Sequence, residues 1–244
     1  MKLSRLLMTM LAGLVLTCVP GIVSASPLGT LDISGIGNVR VGVNFIDFAP
    51  LGGGTGVFNV SGTDQNFLGI PLGSLGTIKD LADPPATPGT AILIPSFITV
   101  PTPGTLFTFS LERIFLGGGP ACTVAPTVGN SCSPTELVAN TPFLLTQNRA
   151  GVSVSFSVLG TLTDNRPGAT APLSLPYRGL FTAQFTKPTN DTVPEILASL
   201  VSPGYVESSW SAEFTSVPEP VSFVLIGGGL IGLALGARRR HVRS

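Results

Sequence analysis

The sequence predicts an all-β protein: an antiparallel β-sandwich, Ig-like or jelly-roll in style, between an N-terminal signal peptide and one C-terminal transmembrane helix. The part between residues 26 and 217 is rich in Gly, Pro, Thr and Ser, a composition typical of short strands joined by frequent turns. Apolar and polar residues alternate along several runs, and turn-forming residues separate these runs. Strands at this spacing, without long helices between them, favour two packed antiparallel sheets.

The alternation is clearest in residues 152–158, where Val and Phe occupy one face and Ser the other. The same pattern marks residues 39–45, 107–112, 177–186 and 206–214. The residues predicted to be buried on the facing sheets are Val154, Phe156, Phe181, Phe185, Trp210 and Phe214. Those predicted to face solvent are Ser153, Ser155, Gln184 and Glu213.

Two stretches depart from the strand pattern. Residues 194–201 are predicted to form a helix of at most two turns. Residues 83–103 contain many prolines, which interrupt strand hydrogen bonding, and are predicted to form a long excursion between strands. Neither a fixed repeat nor a long Gly/Ser linker divides the chain, so we expect residues 26–216 to form one domain.

The N-terminus has the features of a secretory signal peptide. Lys2 and Arg5 precede an apolar stretch, residues 6–19, and small residues follow it. This arrangement predicts cleavage between Ala25 and Ser26, which makes residues 1–25 the signal peptide. An N-terminal anchor helix is less favoured, because the apolar stretch is short and a cleavage site follows.

The C-terminus, residues 217–244, falls into three blocks. The first contains Val217, Pro218, Glu219 and Pro220; the second is an uncharged apolar run, residues 221–237; the third is a basic tail, residues 238–244, that begins with Arg238, Arg239 and Arg240. As a helix, the apolar run would reach roughly 25 Å, at the short end of what spans a bilayer core about 30 Å thick. The arginines predict that the tail stays cytoplasmic and that the chain before Val217 is exported.

This tail resembles the PEP-CTERM sorting signal of Gram-negative bacteria in its Val217–Pro220 motif, its Gly-rich apolar run and its arginines. The resemblance implies an exosortase-type membrane enzyme as a partner. That enzyme would process the protein at the inner membrane on its way to the cell surface or exopolysaccharide matrix. The alternative is an ordinary single-pass anchor with a Pro-rich linker outside the membrane.

Three further stretches resemble a group of PEP-CTERM proteins whose exported domain has no assigned activity. These stretches are Ile46-Asp47-Phe48, residues 142–147 and residues 209–214. The resemblance implies no site residues.

The charge of the exported part argues against nucleic acid as a partner, and its cysteines predict a crosslink. The exported part holds seven cations and twelve carboxylates, so its net charge is −5 and it lacks the electrostatic driver for binding nucleic acid. Cys122 and Cys132 form an even pair in an exported chain, which predicts a disulfide. A metal site at these cysteines would need further soft ligands, which the exported part does not contain.

Catalytic chemistry is restricted because the single histidine, His241, lies in the basic tail. This excludes Ser-His-Asp and Cys-His catalysis in the exported part, as well as zinc sites built on histidine. Asp80 with Asp83, or Asp64 near Asn66, remain as candidates for calcium binding, although loop aspartates more often bond to their own backbone. We predict no catalytic residue, no metal and no cofactor.

The leading hypothesis is therefore a non-enzymatic exported protein of the cell surface or matrix, anchored in the inner membrane at least transiently. The second is a carbohydrate-binding or adhesive module that contacts exopolysaccharide. For this module, Trp210, Tyr177 and Tyr205 could form a stacking platform, although a lone Trp on an alternating strand is more often core. The third is a hydrolase with a pair of carboxylates across a cleft.

Overall fold

The structure is a computed structural model that describes residues 29–50, 54–64, 67, 69–81, 87–102, 105–164, 173–186 and 191–217. The expected signal peptide and its cleavage site, the sorting residues after Val217, the apolar run 221–237 and the basic tail all lie outside these residues. Within the described ranges, no helix combines the length and the apolar character needed to cross a membrane.

The described residues form thirteen strands and one helix. The strands of the first half are β1 (Thr30–Ile36), β2 (Val39–Gly42), β3 (Ile46–Asp47), β4 (Gly56–Thr63), β5 (Leu75–Ile78), β6 (Ala91–Thr102) and β7 (Thr105–Ile114). The second half contains β8 (Ser131–Cys132), β9 (Leu144–Asn148), β10 (Gly151–Asp164), β11 (Leu173–Thr186), helix α1 (Val193–Val201), β12 (Tyr205–Ser208) and β13 (Trp210–Ser216).

The predicted β-sandwich is wrong: the main sheet closes into an eight-stranded antiparallel barrel. Ten strands lie in the order β11-β13-β1-β4-β5-β6-β7-β10-β9-β8, and β11 also pairs with β10. That pairing joins the first strand of the order to the eighth, so β1, β4, β5, β6, β7, β10, β11 and β13 form a ring. Closure removes the free edges that two open sheets would have left on these strands.

Two ribbons extend beyond the barrel and face each other. β10 and β11 form one long hairpin; the second half of β10 pairs with β7, whereas its first half pairs with β9. The β1–β13 pair continues as β2 and β12, which form a three-stranded sheet with β3. We call this second sheet the small sheet.

The barrel has two distinct ends. At the terminal end, where Thr30 is paired with Thr215, the Ser216 amide donates to the Gly29 carbonyl at 3.1 Å. At the opposite, distal end lie Ile36, at the close of β1, and Ile78, at the close of β5, together with both ribbons. The described domain therefore begins and ends at one end of the barrel, and both ribbons lie at the other.

Aromatic rings fill the core. The Phe156 and Phe181 rings stack with their centroids 4.6 Å apart, and the Tyr177 ring meets the Phe109 ring edge-on at 5.1 Å. All six residues predicted to be buried are buried, which confirms the inward face of these strands. Their placement on facing sheets is wrong, because β10, β11 and β13 are neighbours in one sheet. Of the residues predicted to be exposed, Gln184 and Glu213 are exposed, whereas Ser153 and Ser155 are half-buried.

A glycine makes room for one of these rings. Gly160 is paired with Tyr177, and a Cβ at Gly160 would lie 1.9 Å from the Ser110 carbonyl oxygen and 2.7 Å from the tyrosine hydroxyl. Any side chain here would force the backbone or the ring to move.

Of the two stretches predicted to depart from the strand pattern, one is confirmed and the other is wrong. The predicted helix is present as α1, nine residues long, with a capping box in which Glu195 accepts the amide of Thr192. The predicted excursion is wrong, because most of it is strand β6. Register shifts on both sides of Ile94 and a positive φ of 49° at Ser96 form bulges, which let Pro95 lie within a paired strand.

Candidate functional site

The distal end carries a cleft with a volume of about 210 Å³. Five segments line it: the β2–β3 turn with the start of β3 (residues 43–46), Leu81, Thr87 with Pro88, Ile114 at the end of β7, and residues 138–143 before β9. We call this feature the distal cleft. Its walls come from loops and strand ends that are far apart in the sequence.

Backbone hydrogen bonds hold these segments together. Ile46 and Leu81 exchange two bonds of 2.8 Å, and the Gly89 amide donates to the Ile114 carbonyl at 2.8 Å. The Gly117 amide donates to the Thr141 carbonyl, also at 2.8 Å. These main-chain bonds tie the segments around the distal cleft to one another.

The floor of the distal cleft is apolar and its rim is polar. Ile46, Leu81, Ile114 and Phe143 are buried, and the Phe45 side chain is half-buried. The exposed rim carries the side chains of Asn44, Thr87 and Asn140. Apolar walls with a few polar groups at the mouth are typical of small-molecule sites.

Asn140 has an unusual backbone. Its φ of 62° lies in the left-handed region, which Asn tolerates better than most residues other than Gly. The turn at Asn140 precedes Thr141, whose hydroxyl accepts the Phe143 amide at 3.3 Å. Local hydrogen bonding therefore positions the segment that carries the rim amide.

Among the described residues that line the distal cleft, none is ionisable. Two carboxylates adjoin lining residues in the sequence: Asp80 accepts the Phe48 amide at 2.7 Å, and Asp47 accepts the Ala49 amide at 2.8 Å. Burial raises the pKa of Asp80; the Asp47 charge adds to this effect, and the Phe48 N–H opposes it. Both carboxylates thus act as acceptors that hold the loop after β3.

Only one member of each predicted calcium pair lies within the described residues. Asp80 accepts the Phe48 amide, Asp64 follows β4, and their sequence partners Asp83 and Asn66 lie outside the described residues. Across the ranges that the structure describes, no three His, Cys, Asp or Glu side chains lie close enough together to hold a metal ion.

The aromatic platform considered for sugar binding is not exposed. Trp210 and Tyr177 are 6% and 0% exposed, because both point from their strands into the core. Tyr205 is half-buried beneath the Arg40 guanidinium, which lies 4.1 Å from the ring centroid and is paired with Glu207 at 2.6 Å. These three residues therefore present no flat stacking surface.

The predicted disulfide is confirmed, with Cys122 and Cys132 joined at an S–S distance of 2.07 Å. The crosslinked segment supports a wall of the distal cleft. Ser133, which follows Cys132 and is fully buried, donates its hydroxyl to the Phe143 carbonyl at 2.9 Å. The Cys122 amide in turn donates to the Ser133 carbonyl at 3.1 Å.

The three stretches that resembled a PEP-CTERM group come together beneath the small sheet. Phe48, Phe143 and Trp210 each contribute one ring, and with Phe156 and Phe181 these rings surround a void of only about 20 Å³. We call these five residues the aromatic cluster.

Gln147, the last residue of the stretch 142–147, fixes the start of α1. Its side-chain amide N donates to the Asp191 carbonyl at 3.0 Å, and its side-chain amide O accepts the Val193 amide at 3.1 Å.

Sequence reasoning missed the distal cleft. Its only local signal was the polar Asn140-Thr141 pair before Pro142, which predicts a turn but no cleft. Comparison of this chain with protein-family models, with curated proteins and with solved structures finds no match.

Proposed function

We propose that this chain is a non-enzymatic exported barrel protein that a PEP-CTERM signal directs to the cell surface or exopolysaccharide matrix. The observation that carries the proposal is where the motif begins. β13 ends at Ser216, and the amide of Val217, the first motif residue, donates to the Pro176 carbonyl at 2.9 Å. The motif therefore starts where the last described strand ends, and a cut after it would remove none of the described strands.

The positions of the first and last described parts of the barrel support the same proposal. Gly29 and Ser216 are hydrogen-bonded at the terminal end, whereas the distal cleft lies at the opposite end. Removal of a signal peptide before Gly29 and of a tail after Val217 would leave the barrel and the distal cleft intact. The Cys122–Cys132 disulfide also favours export, because such bonds persist in oxidising compartments.

Replacing Pro218, Glu219 and Pro220 by alanine tests the sorting step. The exported domain should still cross the inner membrane, but processing near the motif should stop, because the extended strip that the prolines impose would be lost. Mass spectrometry of the protein from cells with an active exosortase gives the C-terminus. Glu213→Ala, which removes an exposed carboxylate just upstream, should be processed normally. A wild-type protein that keeps its C-terminus through Ser244 would refute the sorting proposal.

A second candidate function, a carbohydrate-binding or adhesive module, is favoured by one observation. The distal cleft offers an uncharged lining with an aromatic residue and rim amides, at the end of the barrel away from Gly29 and Ser216. Exopolysaccharide would then be the partner of the exported domain.

A further inference from the structure

We propose that the distal cleft binds the ring of a single uncharged sugar residue. The proposal deepens the carbohydrate-binding candidate and does not depend on sorting. It rests on three properties of the cleft: its volume, its mixed lining and its lack of charge.

The volume suits one ring. A cavity of about 150 Å³ accommodates benzene, so the roughly 210 Å³ of the distal cleft has room for a six-membered ring with some of its substituents. A disaccharide would need about twice the space of one ring and would have to extend past the rim. We therefore expect the cleft to hold one residue, either a free monosaccharide or the end of a chain.

The lining matches the two kinds of surface on a sugar. A pyranose presents C–H groups on its faces and hydroxyl groups around its edge. The Phe45 side chain, with Ile46 and Leu81 beside it, gives the C–H groups an apolar surface. The amides of Asn44 and Asn140 both donate and accept hydrogen bonds, which is what a hydroxyl needs.

Phe45 is held in a defined place. A Cβ built on Gly42 would lie 2.2 Å from the Phe45 ring, so the ring occupies the space directly over that glycine. The Gly42 amide also donates to the Phe45 carbonyl at 2.9 Å, which closes the turn between β2 and β3. A ring fixed in this way loses little further freedom when a ligand binds.

Because the lining of the distal cleft carries no charge, we expect the cleft to distinguish neutral sugars from charged ones. The lining residues described above include no cation to pair with a uronic acid or sialic acid and no carboxylate to pair with an amino sugar. Moving a charged group from water into such a cleft without a partner is unfavourable. Neutral hexoses should therefore bind better than their charged derivatives.

The test uses the exported protein purified from cells that express the full chain. Saturation-transfer NMR and calorimetry would measure binding of the methyl glycosides of glucose, galactose and mannose, with glucuronic acid and glucosamine for comparison. At least one neutral glycoside should bind with a Kd on the order of 1 mM, as expected for so small a ligand. The two charged sugars should bind at least about fivefold more weakly than that glycoside.

Two variants locate the binding. Phe45→Leu keeps an apolar side chain but removes the ring, and should weaken binding about three- to tenfold. Asn140→Gly removes the amide while allowing the positive φ of 62°, and should weaken binding by a similar factor. Asn59→Ala removes another exposed amide, on β4 and outside the cleft, and should bind like wild type.

Thermal melting of each variant would confirm that the barrel is intact. Three results would each overturn the proposal: no binding of any neutral glycoside at about 20 mM, well above the expected Kd; binding unchanged in both cleft variants; or tighter binding of a charged sugar. None of these results depends on the C-terminal mass that tests sorting, so the two proposals fail separately.

Discussion

The aromatic cluster and the distal cleft share Phe143, and Ile46 lines both the cleft and the void within the cluster, yet the cluster is packed and the cleft is open. The void within the aromatic cluster is about 20 Å³, whereas the distal cleft is about 210 Å³. The cluster draws Phe156, Phe181 and Trp210 from paired strands, whose register sets the spacing of the rings. Most of the cleft wall comes from loops and strand ends that are joined through backbone hydrogen bonds.

This difference separates stability from binding. Rings on adjacent strands are brought into contact by the ladder itself, which leaves no room for a ligand. Loops tied together at their main chains keep a formed space between them, which a ligand can occupy. We therefore expect substitutions in the aromatic cluster to lower stability, and substitutions at the cleft rim to leave stability almost unchanged.

The largest expected effect comes from Phe181→Ala, which removes the ring at the centre of the packed region. The ring contacts five other rings: Phe48, Phe97, Phe156, Trp210 and Phe214. The substitution should lower the free energy of unfolding by about 3–5 kcal/mol, through lost burial and the cavity left behind. Chemical denaturation would measure the change.

The neighbouring residue provides the control. Leu180 lies on the other face of β11, where it is 44% exposed, and Leu180→Ala should change stability by less than about 0.5 kcal/mol. Phe45→Leu, at the distal cleft, should also have a small effect. Equal destabilisation by the Phe181 and Phe45 substitutions would remove the contrast between the two regions.

A smaller effect is expected from overfilling the barrel. Gly160→Ala places a methyl group against the Ser110 carbonyl and the Tyr177 hydroxyl, and should cost about 1–3 kcal/mol. Gly118→Ala is the matched control, because a Cβ there meets no atom within 4 Å. Thermal unfolding of the two variants would compare them. Similar melting temperatures would show that the barrel yields to added volume as easily as the surface does.

The smallest effect concerns the titration of Tyr177. Burial, and to a lesser extent the nearby Glu112 charge, raise the pKa of Tyr177 far above its usual value near 10. Above about pH 10 the unfolded chain releases this proton and the folded protein retains it, so stability should fall by about 1 kcal/mol between pH 10 and 11.

Tyr177→Phe isolates this contribution from those of other groups that titrate in the same range. The variant should lose up to about 1.5 kcal/mol at pH 8, because its donor to the Ser110 carbonyl is gone. It should then show a shallower decline between pH 10 and 11. The measurement is the free energy of unfolding at each pH. Parallel curves for the two proteins would mean that water reaches the tyrosine hydroxyl in the barrel.

Features set by neighbouring residues were predictable from the sequence. A strand repeats every two residues, so alternation alone identified Val154, Phe156 and Phe214 as buried. Thr192 and Glu195, at the spacing of a capping box, open the short helix predicted near residues 194–201. Two cysteines in an expected export context were enough to predict the crosslink. In each case the relevant interaction lies within about ten residues, or needs no knowledge of a distant partner.

Barrel closure and the distal cleft were decided only by tertiary structure. Alternation tells which face of β11 is buried, but not that β11 pairs with both β10 and β13, the pairings that turn an open sheet into a barrel. The distal cleft likewise joins Phe45, Leu81, Ile114 and Asn140, which no local pattern connects. The packing of the whole chain determines which strands pair and which loops become neighbours. Each such contact is stable only when other contacts hold the two segments in place.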